Sequence, residues 1–388
     1  MVKGQMKSHI RKIAVVIPKY GLVGGAEQFA AMLTECIAAD RRYEMHVFAN
    51  RLQAESPLIK FHKVPIISFP KFLTTISFAW FVRREIERTG VDLIHTHDRI
   101  FDADIFTMHG IPHRIWVRKI RKKSMSLYDY ATAWVEGCLV QNKRCNRFLS
   151  VSHLAKDKFI EAYDFAKDKV EVIHPGVDVK RFENINRELS RKDIEGNYGI
   201  AADETLILFV SMNFEIKGLD TLIAALGAVK KKDPPAKFKL LIIGKGDKKK
   251  YRQIAENLGV SDHVIFTGVV EKNTLAKIYR AGDIYAMLSK FDTFGLAVLE
   301  AMAASLPVIV SDHVGAKDIV EHGKNGFIAR GENAVDQVAD YLQLALNKDA
   351  RIEMSKYANL TAQNHTWEAA AEKVRHIYEN RMENKLLY

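Results

Sequence analysis

Lys12-Ile-Ala-Val-Val-Ile-Pro18 is an apolar run with no polar alternation. A strand with one solvated face alternates; a strand buried on both faces of a parallel sheet does not. The run ends in Gly21-Leu-Val-Gly-Gly25 and opens into a helical pattern over Ala26–Ala38. Strand, loop and helix return in that order at Glu44–Ala49, Asp92–His97, Arg147–Val151 and Val170–Ile173. This alternation predicts a doubly wound α/β domain. The polar, charged stretch from about Glu183 to Asp203 reads as a linker. A second series follows it: Thr205–Ser211, Lys239–Ile243, Val264–Thr267, Asp283–Leu288, Pro307–Val310 and Gly326–Ala329. A helix over Trp367–Asn384 closes the chain. The expected organisation is two Rossmann-like domains, 1–185 and 186–366, and a C-terminal helix, 367–388. A substrate cleft is expected between the domains, at the carboxyl ends of the strands.

The length of 388 residues suits two such cores. Met1–Ile10 is polar and basic and lacks the apolar centre of a signal peptide, so none is expected. Nor is a transmembrane helix, because no uncharged apolar run reaches the required length of about 18 residues. Cys36, Cys138 and Cys145 lack metal-ligand spacing and read as thiols of a reducing cytosol. The formal charge of +11 asks for an anionic partner: nucleic acid, an anionic membrane or a phosphorylated substrate.

Two loops carry chemistry. Gly24-Gly25 would let a ligand approach the backbone at a helix N-terminus, although a plain tight turn explains it equally. Its spacing is not G-x-G-x-x-G, which argues against a nicotinamide dinucleotide. The second is Ser289-Lys-Phe-Asp292-Thr-Phe-Gly295-Leu-Ala-Val-Leu-Glu300. A strand ends near Leu288 and a helix is expected from about Phe294. The N–H groups of Phe294, Gly295 and Leu296 would then face a diphosphate at the positive helix end. Asp292 would accept from sugar hydroxyls, and Glu300, about two turns on, from a ribose. Read locally, Asp292 is as readily an N-cap and Glu300 a surface carboxylate.

That segment resembles the E-x7-E signature of the retaining GT-B glycosyltransferases (glycosyl transferases group 1). Four further blocks resemble the family in the same order: Val172-Ile-His-Pro-Gly-Val-Asp178 with Arg181-Phe182, Lys217-Gly218-Leu-Asp-Thr-Leu-Ile-Ala-Ala, Leu241-Ile-Ile-Gly244-Lys-Gly246 and Val264-Ile-Phe-Thr-Gly268. The resemblance implies two Rossmann-like domains facing across a cleft, with the last helix returning to the N-terminal one. It implies that Asn213 and Lys217 serve the donor phosphates, Lys217 neutralising charge as it grows on the leaving group. Glu300 would hold the nucleotide ribose, Asp292 the transferred sugar, and His109 would lie beneath that sugar. A solvent-facing loop histidine is the alternative for His109. Front-face attack assisted by the leaving phosphate is the implied route, with no metal and no cofactor beyond the nucleotide-sugar donor. Asp102-Ala-Asp104 has metal-site spacing but lies in the wrong half and reads as incidental.

The chain also departs from the family pattern. Asp292 stands for the first glutamate and Met212 for an arginine. Lys245 or Lys248-Lys249-Lys250 would have to supply that cation, though the lysine run also reads as a solvated face. Ser305 and Ala316 replace glycines.

Arg114, Arg118, Lys119, Arg121, Lys122 and Lys123 are interleaved with Ile115, Trp116, Val117 and Ile120. The stripe Leu127, Tyr130, Ala131, Trp134, Val135, Cys138, Leu139 follows at helical spacing. Arg114, Trp116 and this basic block read as an interfacial membrane anchor; a core helix with a solvated basic loop is the alternative. No nucleic-acid module accompanies the charge. A similar insertion occurs in the lipopolysaccharide core glucosyltransferases, which the chain resembles in part. The expectation is a cytoplasmic enzyme, peripheral on the inner face of a bacterial inner membrane. It would move a hexose, glucose from UDP-glucose, onto a glycan or glycolipid acceptor such as lipopolysaccharide core. A soluble or protein acceptor, or a non-catalytic nucleotide-sugar-binding protein, remains open.

Overall fold

The computed structural model describes residues 10–22, 24–331 and 334–386. Residues 1–9, where the sequence predicts no signal peptide, lie outside that range, as do Val23 of the first glycine loop and the last two residues of the chain. The chain divides into two compact units. One runs to Pro175 and takes back the chain from Trp367; the other is Gly176–Thr366.

Among the described residues of the first unit, seven strands form one parallel sheet. They are β1 (Arg11–Val16), β2 (Tyr43–Ala49), β3 (Ile59–Lys63), β4 (Leu93–Thr96), β5 (Ile105–Met108), β6 (Arg147–Ser150) and β7 (Val170–Val172). The order is β3-β2-β1-β4-β5-β6-β7, so winding reverses between β1 and β4. β3 reads Ile-Lys-Phe-His-Lys at a sheet edge, which is why it does not register as an apolar run. Helix α1 (Gly25–Ala39) follows β1. Helices α2 (Leu73–Thr89) and α3 (Leu127–Gln141) pack on one another, with Phe78, Val82, Ile86, Val135 and Leu139 joining Phe106 and Phe148 in one core.

The expected linker is largely helical. Helix α4 (Arg187–Tyr198) is capped by Asn186, whose Oδ1 accepts the Leu189 N–H at 3.0 Å. Its charges are structural rather than solvating: Arg191 donates to Asp283 Oδ2 at 2.8 Å and to the Ala281 carbonyl at 3.1 Å. Composition suggested a loop because Arg187 and Arg191 have their partner, Asp283, far away in sequence. The boundary at 185 also moves to 175: Val177 N–H donates to the His365 carbonyl at 2.9 Å, and Phe182 stacks edge-on to Tyr279 within the second unit.

The second unit holds a parallel sheet of β8 (Thr205–Ser211), β9 (Phe238–Gly244), β10 (Val264–Gly268), β11 (Ile284–Met287), β12 (Val308–Ser311) and β13 (Gly326–Ala329), in the order β10-β9-β8-β11-β12-β13. Winding reverses between β8 and β11. Helix α5 (Leu219–Lys232) follows β8 and α6 (Leu296–Ala303) follows β11. The last helix, α7 (Trp367–Leu386), belongs to the first unit: Trp367 packs edge-on to Phe29, and Tyr378 Oη lies 2.6 Å from His95 Nδ1. In open parallel sheets, ligands bind where the winding reverses, at the carboxyl ends of the strands. Each unit has one such place.

Candidate functional site

In the second unit, three strand-end loops are knitted together. After β8, Ser211 Oγ accepts the Asn213 N–H at 2.8 Å, and Asn213 Oδ1 accepts the Ile216 N–H at 3.1 Å. This turn delivers Lys217. Gly218 follows with φ +73°, and a Cβ there would lie 2.0 Å from the Leu288 carbonyl oxygen, so only glycine fits behind the lysine. After β11, Lys290 N–H donates to the Ile216 carbonyl at 2.8 Å, and Asp292 N–H to the His313 carbonyl at 2.9 Å.

The result is an ion pair between Lys217 Nζ and Asp292 Oδ2, each side chain still partly open to solvent. Asp292 Oδ1 accepts the Phe294 N–H at 3.3 Å. The helix begins later than expected: Gly295, at φ +92°, is the N-cap and Leu296 the first helical residue. Asp292 is therefore not the cap, and the Phe294 N–H faces Asp292 rather than a ligand. No side chain caps Gly295. The positive end of α6 thus sits beside a lysine paired with the Asp292 carboxylate.

Glu300 lies on α6 and accepts from Tyr279 Oη at 3.4 Å. Burial raises its pKa above the usual carboxylate value, opposed by the nearby charges of Arg181 and Lys272. Tyr285 is fully buried, and its hydroxyl finds no hydrogen-bond partner among the described residues. Met212 is exposed, and beside it the Lys245 N–H donates to the Ser211 carbonyl at 3.0 Å.

In the first unit, Gly24 caps α1, its carbonyl accepting the Gln28 N–H at 2.9 Å. A Cβ on Gly24 would meet the Glu27 carboxylate at 2.1 Å, so an internal anion already lies at this helix end. Gly25 is the first helical residue. At the end of β4, His97 Nδ1 lies 2.9 Å from His109 Nε2, with the two rings stacked. Burial drives both imidazoles toward the neutral form: His109 falls to about 3 and His97 falls as well, the neighbouring histidines adding to its shift. Behind them His95, also pushed down to about 3 by burial, bridges Thr107 Oγ1 and Tyr378 Oη at 2.6 Å each. His109 is thus partly buried, stacked on His97, and neutral at neutral pH.

A cavity of about 230 Å³ opens here, lined by Ala26, His97, Arg99, His109, Gly110 and Glu136 among others. Glu136 is buried and accepts from Arg99 Nε at 2.8 Å, Tyr163 Oη at 3.1 Å and the His113 N–H at 3.0 Å. Sequence reasoning did not pick out His97 or Glu136. The signals were the His95-Thr-His97 doublet closing a strand and a lone carboxylate inside the apolar stretch of α3. Asp104 is buried and structural: it accepts the Ile94 N–H at 2.9 Å and pairs with Arg144 at 3.1 Å.

The basic segment folds as a helical stretch, with Ile115 and Val117 buried and Trp116 half-buried. Arg114, Arg118, Arg121, Lys122 and Lys123 are exposed, and Lys119 pairs with Glu161. The stripe on α3 splits: Val135 and Leu139 enter the core, while Leu127, Tyr130 and Trp134 face solvent. No helix among the described residues is long and apolar enough to cross a membrane.

Two family models match the chain: glycosyl transferases group 1 over residues 190–362 and Glycosyltransferase Family 4 over residues 23–181. An uncharacterised glycosyltransferase of Methanocaldococcus jannaschii is 28% identical over 84% of this chain and 85% of its own length. The D-inositol 3-phosphate glycosyltransferase of Corynebacterium jeikeium is 31% identical over 57% of this chain, and the match spans 54% of that relative. Among solved structures, WaaG, a glycosyltransferase involved in lipopolysaccharide biosynthesis, aligns with a TM-score of 0.76 at 20% identity, covering 94% of this chain and 99% of its own. HepE of Anabaena, in complex with UDP and glucose, aligns with a TM-score of 0.70 at 18% identity, covering 95% of this chain and 100% of its own. At these identities the structural likenesses carry the fold.

Proposed function

We propose that this chain, which belongs to the glycosyl transferases group 1 and has the GT-B fold, is a retaining hexosyltransferase using a nucleotide-sugar donor, UDP-glucose in the first instance. The observation that carries the reading is the Lys217–Asp292 pair beside the uncapped Gly295 end of α6, with Glu300 further along the same helix. A donor diphosphate at that end would draw Lys217 away from Asp292. The lysine would then neutralise charge growing on the leaving phosphate, and the freed carboxylate would accept hydrogen bonds from sugar hydroxyls. Asn213 would hold the turn that aims Lys217, the N–H groups of Gly295 and Leu296 would meet phosphate, and Glu300 would take the ribose hydroxyls. With the leaving phosphate itself assisting front-face attack, the reaction needs no metal. In the N-terminal unit, His109 would serve as a neutral hydrogen-bonding group, not as an acid, and Gly24-Gly25 would admit a ligand close to the backbone.

The acceptor we favour is a lipid-linked glycan such as lipopolysaccharide core, reached by peripheral docking on the inner face of a bacterial inner membrane. The exposed cations of the 114–123 segment support that reading. A soluble phosphorylated polyol is the second reading, motivated by the D-inositol 3-phosphate relatives.

The test is to screen nucleotide sugars for thermal stabilisation and assay the best one for slow donor hydrolysis. Glu300→Ala should abolish both responses. If no nucleoside diphosphate or its sugar raises the melting temperature at millimolar concentration, the reading fails. Retention is checked by the anomeric configuration of the sugar released or transferred.

A further inference from the structure

Strand β11 alternates about its sheet. Ile284, Ala286 and Leu288 enter one core with Ile207, Phe209 and Leu222. Tyr285 and Met287 therefore point to the opposite face, the one over which α6 returns. A helix joining two neighbouring parallel strands runs back against their direction, so α6 descends from Gly295 along β11. The register is fixed at its upper end, where a Cβ on Gly295 would lie 3.2 Å from Met287 Sδ. From Gly295 to Glu300 the helix covers about 7.5 Å, and from Met287 to Tyr285 the strand covers about 6.6 Å. Glu300 thus comes level with Tyr285.

Around that carboxylate the donors are unevenly used. Tyr279, on the helix Lys272–Ala281, reaches Glu300 Oε2 at 3.4 Å, which is long for a bond between two oxygens. Its ring lies 6.0 Å from the ring of Tyr285. Arg181 donates to the Lys272 carbonyl, and both cations act on Glu300 through their charge. Tyr285 lies in the field of Glu300 and of Asp292; burial, then these two charges, push its own ionisation up. It is fully buried, yet its hydroxyl has no hydrogen-bond partner among the described residues. A buried hydroxyl left unmatched costs stability, and phenylalanine would fill the same space without that cost.

We propose that Tyr285 is a positioning residue for Glu300, its hydroxyl donating to the carboxylate once a ribose is bound. This rests on the donor reading above and deepens it. An ionised carboxylate only accepts, through about four lone-pair sites. Two ribose hydroxyls take two of them and Tyr279 takes a third. Tyr285 answers the fourth from the sheet side, so the carboxylate stays ionised and cannot turn away from the sugar. The hydroxyl that is unmatched in the free chain is thus matched in the complex, and its cost in the free chain becomes a preference for the bound state.

The test is calorimetric titration of the native full chain and of Tyr285→Phe with UDP and with its dideoxy analogue, which lacks both ribose hydroxyls. Tyr285→Phe should bind UDP about tenfold more weakly, the scale of one hydrogen bond to a charged acceptor. The dideoxy analogue gives Glu300 nothing to hold and should bind both chains alike. The tenfold ratio should shrink as pH falls from about 8 to about 5, because a protonated Glu300 gains little from a further donor. Titration of UDP itself cancels in that ratio. A tyrosine that merely fills space would shift both nucleotides equally at every pH. The melting temperature of the ligand-free variant should stay level or rise, since the deleted hydroxyl had no partner. Equal UDP affinity in the two chains overturns the proposal, as does an equal loss for both nucleotides or a fall in the ligand-free melting temperature. A loss for UDP-glucose with none for UDP also overturns it, and gives the hydroxyl to Asp292. A native chain that binds neither UDP nor UDP-glucose removes the donor reading itself, and this proposal with it; native binding that Tyr285→Phe leaves untouched removes this proposal alone.

Discussion

The two strand-end sites handle charge in opposite ways. In the C-terminal unit the winding reversal gathers formal charges that are only partly sheltered: Lys217 on Asp292, and Glu300 facing Arg181 and Lys272. In the N-terminal unit the equivalent reversal gathers three imidazoles held neutral by burial, with the buried carboxylate of Glu136 saturated by donors. The first arrangement can exchange its counter-ion for a diphosphate. The second offers hydrogen bonds without net charge, which suits hydroxyl groups. One topology thus supplies a polyanion site and a polyol site, and the residues closing the strands decide which is which.

The largest effect should come from removing the exchangeable cation. Lys217→Ala is expected to lower the rate of donor hydrolysis by about 10²–10³, the usual loss for a group that stabilises transition-state charge. His109→Asn, which keeps a neutral hydrogen-bonding group, should cost much less. Steady-state assays of both variants decide; a larger loss at His109 would break the contrast.

Acidification should separate the units next. His95 and His109 have folded pKa values of about 3, below the roughly 6.5 of an unfolded histidine. The unfolded chain therefore binds protons that the native N-terminal unit does not. Their contribution is complete above about pH 6.5 and is lost as pH falls toward 3, at about 1.4 kcal/mol per pH unit for the fully buried His95. Glu300 has the opposite sign: its raised pKa means that protonation relieves the native state, so acid favours folding at that position. Calorimetry between pH 7 and 5 should show the N-terminal transition moving down further than the C-terminal one. Equal movement would show that the histidines are protonated in the native state.

How much of this was legible in sequence follows from where the information sits. The strands of the C-terminal sheet are apolar runs such as Leu206–Phe209, buried on both sides, and composition alone reveals them. Motif order singles out Lys217, Asp292 and Glu300, and the structure pairs the first two. α4 was missed because two of its arginines, Arg187 and Arg191, are answered by Asp283, about ninety residues away. His97 and Glu136 were missed for a related reason: each looks like part of an apolar element, and only the fold shows that they line one cavity. The split of the α3 stripe was equally hidden, since periodicity marks an apolar face without saying how far round the helix the core reaches.

A finer probe of the charged site is Asp292→Glu. The added methylene restores the reach of the family glutamate and alters the pairing with Lys217. Donor preference among UDP-hexoses should shift by about tenfold or less, the scale of one methylene in a binding site, read as a ratio of kcat/KM values. An unchanged ratio would separate Asp292 from sugar recognition.

The smallest effect tests how α6 is terminated. Ser305 takes φ +69°, with its N–H donating to the Met302 carbonyl at 2.9 Å. This is the left-handed position that ends a helix and favours glycine, because a Cβ there crowds the backbone. The penalty for an L side chain is roughly 1–2 kcal/mol, offset in part by the greater freedom glycine has in the unfolded chain. Ser305→Gly should therefore stabilise by about 0.5–1 kcal/mol, seen as a higher denaturant midpoint at an unchanged slope. The gain should be confined to the C-terminal unit, where the helix carrying Glu300 ends, and should leave the acid sensitivity of the N-terminal unit untouched. A gain that appeared in both transitions would mean that the two units do not unfold separately, and the pH contrast would then have to be read from the histidine variants instead.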